Sequence, residues 1–191
     1  MLKVLEILKN FFQEVFKWGL GQRPKVCPEV LKEETKMAKL KIVQYEDETL
    51  RKVCRPVEAV TPRVCRLLDD MLETMRNANG CGLAGPQVGV LRRIAVVEVE
   101  EGKPIELINP KIVAYAGEQR EEEGCLSIPG RWGVTVRPKY VTVRATDRNG
   151  KEFEVQGSDL LARALCHEID HLDGRLFTDR LAPEQPQEKK R

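Results

Sequence analysis

The stretch that decides the fold is residues 158–174, which read SDLLARALCHEIDHLDG. Ser158 can cap a helix that begins at Asp159 and runs to about Asp173, and Gly174 is typical of the residue that ends such a helix. The apolar residues recur at helical spacing, so we expect this helix to be buried among strands. The residues expected to face the core are Leu161, Leu165, Ile169 and Leu172.

The only two histidines of the chain lie in this helix, four residues apart, in His167-Glu168-Ile169-Asp170-His171. Because four residues make just over one helical turn, both imidazoles project from the same face. Two ring nitrogens that converge on one point are typical of a transition-metal site. Glu168 lies about 100° further round the helix, within reach of a water on the metal. The pattern therefore predicts a metal site with its own general base.

A third ligand is needed, because a catalytic site of this kind has three protein ligands and one open position for water. The best candidate is Cys125, in the segment EGCLS at residues 123–127, where flexible neighbours can present its sulfur as a soft ligand. A glutamate downstream of the histidines is the alternative, but Glu184 and Glu188 lie in a polar tail. The cysteines form no CxxC pair, which excludes the usual zinc-finger spacings.

A glycine-rich loop covers residues 80–89, which read GCGLAGPQVG. Gly80 and Gly82 allow the backbone of a ligand to approach closely, and Gln87 supplies a neutral amide donor. The loop lacks the GKS or GKT ending of a phosphate-binding loop, so it does not favour a nucleotide site. A neutral donor beside a metal suits the oxyanion of an acyl-transfer intermediate.

The whole pattern predicts an α+β fold, with mostly antiparallel short sheets packed around the central metal-binding helix and an extra N-terminal amphipathic helix. Another helix is expected from Thr61-Pro62 to about Asn77. Asn149-Gly150 predicts a tight hairpin turn between the last two strands. The expected strands are Ile94 to Val99, Ile105 to Ile108, Ile112 to Tyr115, Gly133 to Val136, Tyr140 to Ala145 and Phe153 to Val155.

Composition indicates an ordinary globular protein that works inside the cell. The chain has 191 residues, of which 41% are hydrophobic and 32% charged, with a net charge of +2. No basic runs with interleaved aromatic residues occur, so DNA is not an expected partner. No cleavable secretory signal is visible, and we therefore expect reduced thiols and a cytoplasmic location.

Three parts are expected along the chain. Residues 1–36 form an N-terminal amphipathic extension and linker, residues 37–182 the catalytic domain, and residues 183–191 a flexible polar tail. The apolar face of the extension is interrupted by charges every three or four residues, which excludes a transmembrane span. Packing on its own domain, packing on a second copy, membrane contact and partner docking all remain open for it. Both a monomer and a homodimer are compatible with the sequence.

Three segments, in order, resemble the signature motifs of the peptide deformylase family: the glycine-rich loop, the EGCLS segment and the histidine helix. The similarity covers about residues 37–181. It implies removal of the formyl group from N-formylmethionine of nascent polypeptides, with release of formate. It implies one divalent metal ion, natively Fe2+, or Zn2+ or Ni2+ in a preparation. With nascent peptides as partners, transient ribosome association is a further expectation.

The resemblance also implies roles for individual residues. The implied metal ligands are Cys125, His167 and His171. The implied catalytic residues are Glu168 as proton shuttle, with Gln87 and the backbone N–H of Leu126 as donors to the oxyanion. The expected substrate contacts are Gly80, Cys81, Gly82, Glu123, Gly124 and Ala164, the glycine and EGCLS segments pairing with the substrate as with an added strand.

Three other functions are alternatives on the residues alone. A metallo-endopeptidase with the same HExxH pattern would cleave internal peptide bonds and use another third ligand. A cysteine hydrolase would use Cys125 as nucleophile and His167 as base, and would survive chelators. A non-catalytic module would close the fourth position of a structural metal with a protein ligand.

Overall fold

The structure is a computed structural model that describes residues 39–183. Two α-helices and seven strands are described, together with short 3-10 turns at Glu48–Arg51, Gly85–Val88 and Phe177–Arg180. In chain order they are α1 (Pro62–Asn77), β1 (Gly82–Ala84), β2 (Ile94–Val97), β3 (Ile105–Ala116), β4 (Gln119–Cys125), β5 (Ile128–Arg137), β6 (Tyr140–Thr146), β7 (Glu152–Ser158) and α2 (Asp159–Leu172).

The strands form two antiparallel sheets, as the sequence predicts. The larger sheet has the order β1-β2-β3-β6-β7, and the smaller one pairs β4 with β5. The inner face of α2 packs into the core of the larger sheet through Leu165, Ile169 and Leu172. The histidine helix therefore lies at the centre of an α+β fold.

Helix α1 forms where it is predicted. The Thr61 hydroxyl accepts the backbone N–H of Val64 at 3.4 Å, and Pro62 occupies the first turn, where its missing N–H is tolerated. Leu68 and Met71 are buried in a second apolar cluster with residues of β2 and β3. The helix ends at Asn77, three residues before the glycine-rich loop begins at Gly80.

The strand predictions are partly wrong. The two strands expected on either side of Asn109-Pro110 are one strand, β3, because its pairing with β6 continues past register shifts at that point. Strand β4 was not expected at all, and β5 begins at Ile128, well before Gly133. Each of these two strands supplies the hydrogen-bonding partner of the other, a non-local pairing that a single segment does not reveal.

Helix α2 has its predicted bounds, and Gly174 follows it with a φ of 72°. Ser158 is the N-cap residue, but its side chain makes no capping hydrogen bond, contrary to expectation. The predicted N-terminal amphipathic helix lies outside the described residues, as does most of the polar tail. Across residues 39–183, no helix is long and apolar enough to cross a membrane.

Candidate metal centre

Three donor atoms converge between α2 and the smaller sheet. Cys125 ends β4, and its Sγ lies 3.3 Å from Nε2 of His171, which in turn lies 3.1 Å from Nε2 of His167. The three donors all lie within 4.8 Å of one another. A tetrahedral ion with bonds of about 2.0–2.3 Å separates its ligands by roughly 3.3–3.7 Å. The geometry and the donor types therefore fit one divalent transition metal.

The electrostatics of the two imidazoles also suit a cation. Burial lowers the pKa of His171 well below its ordinary value, so its ring is neutral and offers a lone pair. Burial alone would also lower the pKa of His167, but its hydrogen bonds to Cys125 and Glu123 raise it well above the ordinary value. These neighbours favour positive charge at the point where the three donors meet, and a bound metal ion provides it.

Glu123 orients His167, a role that sequence reasoning did not assign to it. The Nδ1–H of His167 donates to Oε1 of Glu123 at 2.5 Å, which turns Nε2 toward the other two donors. Burial alone would raise the pKa of Glu123, but hydrogen bonds from His167 and Arg137 hold it well below its usual range. The expected substrate contact at Glu123 can therefore involve only its backbone, because its side chain is committed to His167.

Buried partners surround this carboxylate. Thr135 and Arg137, both on β5, donate to Glu123, and Arg137 also bonds Asp170 on α2. The Phe177 ring stacks on His167 with centroids 6.4 Å apart. None of these three supporting residues was expected, since a buried arginine, threonine or phenylalanine has no distinctive spacing in the sequence.

Glu168 lies beside the donors with one oxygen uncommitted. The residue is only 3% exposed, and within residues 39–183 its Oε2 has no hydrogen-bond partner. A Cβ on Gly82 would lie 2.2 Å from Oε1 of Glu168, so only glycine leaves room for the carboxylate there. Burial raises the pKa of Glu168 to about 7. A carboxyl group with this pKa can both accept and donate a proton near neutral pH.

Gln87 presents its amide nitrogen to the same point. The backbone N–H of Ala84 donates to Oε1 of Gln87 at 2.8 Å, which fixes the orientation of the amide. Its Nε2 consequently faces Ser127 Oγ at 3.3 Å and Cys125 Sγ at 3.5 Å. A neutral N–H donor thus lies next to the Cys125 sulfur, and a donor of this type can stabilise an oxyanion.

A cavity of about 670 Å³ opens onto these groups. Of the predicted site residues, it is lined by Gly80, Cys81, Gly82, Gln87, Glu123, Gly124, Cys125, Leu126, Ala164, His167 and Glu168. His171 is the exception, and it is buried, with 1% of its surface exposed. The structure thus brings together all the residues that the resemblance implies as metal ligands, catalytic residues or substrate contacts.

The cavity lies beside the backbone edges of two strands, β1 and β4. Strand β1 is the outermost strand of the larger sheet, and β4 lies in the smaller sheet. Leu126, in the turn after β4, packs so closely on Gly80 that a Cβ there would lie 2.6 Å from its Cδ1. The backbone edges of two sheets are therefore available to an extended ligand.

Cys125 and the two histidines could hold a cation beside Glu168 at the cavity, and this set of residues is typical of the class of metal-dependent hydrolases. The family model of polypeptide deformylase matches residues 39–187. The chain belongs to the peptide deformylase family.

Individual relatives agree with this assignment. A peptide deformylase of Lachnoclostridium phytofermentans is 54% identical over 147 residues, which are 76% of this chain and 90% of that protein. One from Acetivibrio thermocellus is 58% identical over 135 residues, 71% of this chain and 79% of that protein. The crystal structure of a peptide deformylase from Legionella pneumophila superposes with a TM-score of 0.74 at 47% identity, covering 76% of this chain and 88% of that one.

Proposed function

We propose that this chain hydrolyses the formyl group of N-formylmethionine on nascent polypeptides and releases formate. The observation that carries the proposal is the convergence of Cys125, His167 and His171 beside Glu168, in a chain of the deformylase family. A structurally similar deformylase from Synechococcus elongatus, 39% identical, was solved in complex with actinonin. A relative that binds a small molecule supports the proposal that this chain also has a ligand site.

The proposed resident ion is Fe2+, with Zn2+ or Ni2+ as substitutes in a preparation. A mixed set of one thiolate and two imidazoles supports a transition metal over Mg2+ or Ca2+, which prefer oxygen ligands. When bound, the ion supplies a Lewis acid that polarises the formyl oxygen and lowers the pKa of water. The protein residues supply proton transfer, hydrogen bonds to the oxyanion and binding of the substrate.

Glu168 is the proposed proton carrier. It accepts a proton from the attacking water as the water oxygen forms its bond to the formyl carbon. It then delivers this proton to the amine nitrogen as the C–N bond breaks, so that the peptide leaves as a neutral amine. Its pKa of about 7 supports both steps near neutral pH, because neither protonation state is strongly disfavoured.

Gln87 and the backbone N–H of Leu126 are the proposed donors to the oxyanion. We expect Gln87→Glu to lower kcat per metal-loaded enzyme by about 10²- to 10³-fold, because the N–H donor is lost. The variant keeps an oxygen to accept the Ala84 N–H, so the loop is preserved. Stopped assays of formate release, normalised to metal content, measure the effect.

The matched control is Gln44→Glu. Gln44 also lines the cavity, but it is exposed, and its amide bonds only the Ile42 carbonyl at 3.3 Å. We expect its kcat to stay close to that of the parent enzyme. Equal losses in both variants would mean that added negative charge, rather than a missing donor, slows the reaction.

The substrate peptide is proposed to lie extended between the edges of β1 and β4. Gly80, Cys81 and Gly82 contact it on one side, and the backbone of Glu123 and Gly124 on the other. The methionine side chain is proposed to enter the part of the cavity near Ala164. The outer position of β1 in the larger sheet and the two-stranded nature of the β4-β5 sheet support this arrangement, since each leaves one backbone edge free to pair with an added strand.

The function is tested with formyl-Met-Ala-Ser and the full chain. We expect metal-loaded enzyme to release formate, chelator treatment to abolish the release, and added Fe2+ or Ni2+ to restore it. An unblocked peptide with internal methionine serves as the second substrate. Internal cleavage without formate release would favour the endopeptidase, and chelator-resistant turnover would favour a cysteine hydrolase.

Residues 37–182 are proposed to form the catalytic domain, working in the cytoplasm in transient contact with the ribosome. The nascent-chain substrate supports this location, because formylated N-termini emerge there. The basic end Lys189-Lys190-Arg191 adds charge that suits an RNA surface.

A further inference from the structure

Thr135 is a fully buried polar residue that the reaction above does not use. It lies in β5 with 0% of its surface exposed, and its hydroxyl donates to Oε2 of Glu123 at 2.7 Å. Its partner across the sheet is Glu121, while Glu123 is paired with Gly133. Thr135 is thus the diagonal neighbour of Glu123 across the sheet, a distance at which the two side chains can meet.

Glu123 receives four hydrogen bonds, and the donor groups differ in how firmly their own positions are fixed. Its Oε1 accepts from His167 and from Nη2 of Arg137, and its Oε2 accepts from Nε of Arg137 and from Thr135. Arg137 is long and is shared with Asp170 of α2. Thr135 is short and β-branched, so its hydroxyl position is set by the β5 backbone.

The Thr135 bond, together with the two bonds from Arg137, therefore restrains the carboxylate plane from β5 rather than from α2. With Oε2 held by Thr135, Oε1 is directed at Nδ1 of His167, and the ring presents Nε2 to the site of the cation. A metal-binding histidine depends on such a partner for its tautomer and its orientation.

We propose that Thr135 is a positioning residue for His167, acting through Glu123, and that its hydroxyl tightens metal binding. The inference rests on the proposed function only in taking Cys125, His167 and His171 as the ligands. Outer-shell partners of this type typically change metal affinity by about 10- to 100-fold. Because Arg137 still holds Glu123 when Thr135 is changed, we expect an effect near the lower end, about 10-fold.

The test is the dissociation constant of Zn2+, measured by competition with a chromogenic chelator, together with the visible spectrum of the Co2+ form. Thr135→Val replaces the hydroxyl with a methyl group of similar size, and Thr135→Ser retains the hydroxyl. We expect about 10-fold weaker Zn2+ binding and a shifted Co2+ band for the valine variant, and near-parent values for the serine variant.

The control for loss of a buried hydroxyl elsewhere is Thr74→Val. Thr74 is 4% exposed in α1, and its hydroxyl bonds the Asp70 carbonyl and the Leu40 N–H. We expect this variant to melt earlier in the metal-free form while its Zn2+ affinity is unchanged.

Two results would overturn the proposal. In the first, Thr135→Val lowers the melting temperature of metal-free and metal-loaded protein equally and leaves the Zn2+ affinity unchanged. In the second, Thr135→Ser weakens binding as much as valine does, which would assign the effect to packing of the methyl group. If the valine variant does not fold, Thr135→Ala takes its place under the same criteria. The Zn2+ affinity and the Co2+ spectrum are measured without a formylated substrate. The role of Thr135 can therefore be tested even if the chain does not deformylate peptides.

Discussion

Replacing Glu168 with glutamine is expected to leave the metal bound and to lower kcat for formate release by about 10²- to 10⁴-fold. The amide has the size of the carboxyl group, so it fits the space that Gly82 leaves open. It cannot accept a proton from water, however, and it has none to pass to the leaving amine. Metal content by mass spectrometry and kcat with formyl-Met-Ala-Ser measure the two effects separately.

Glu152→Gln is the matched control for Glu168→Gln. Glu152 is an exposed carboxylate on β7, the strand at the opposite edge of the larger sheet from β1. We expect its kcat and metal content to match those of the parent enzyme. Near-parent turnover in the Glu168 variant would refute its role as proton carrier. Loss of metal from that variant would instead make Glu168 a ligand.

The metal centre could be predicted from sequence because most of it depends on local spacing. His167 and His171 share a helix face whatever the helix packs against, and α2 forms at its predicted bounds. The same holds for α1, where Thr61-Pro62 marks the start. Cys125 could also be predicted as a candidate ligand. Two histidines alone do not complete a catalytic metal site, and a thiol between flexible residues is a suitable third donor.

The support around the site could not be predicted, because it depends on register between strands. Glu123 ends a charged run, residues 121–123, that is typical of a solvated surface. Only the pairing of β4 with β5 places it against Thr135 and Arg137, and only the packing of α2 brings His167 to it. These partners offset the cost of burying the charged carboxylate of Glu123. They cannot be identified from the sequence alone.

Strand β4 could not be predicted for the same physical reason. Strand β4 carries three consecutive glutamates, and only one of its residues is buried, so neither alternation nor apolar content predicts it. Its backbone is hydrogen-bonded to β5, and the pairing shifts register between Gly124 and Cys125, directly before the sulfur that faces α2. Cys125, the proposed third ligand, is thus positioned by a pair of strands whose association is non-local.

Cys125→Ala is expected to abolish tight metal binding, with a loss in affinity well beyond the roughly 10- to 100-fold typical of an outer-shell partner. Two imidazoles remain, but they approach the ion from one helix face only, and the charge of the thiolate is lost. Chelator competition with Zn2+ measures the affinity, and metal analysis after gel filtration measures retention. Turnover should fall in proportion to the metal lost, and saturating metal should restore part of it.

Cys81→Ala is the matched thiol control, because Cys81 also lines the cavity but lies outside the donor triangle. We expect it to retain metal as the parent enzyme does. The comparison separates the hydrolase classes, since a catalytic cysteine would lose turnover on Cys125→Ala while binding of Zn2+ stayed the same. Undiminished Zn2+ affinity in Cys125→Ala would remove the sulfur from the ligand set.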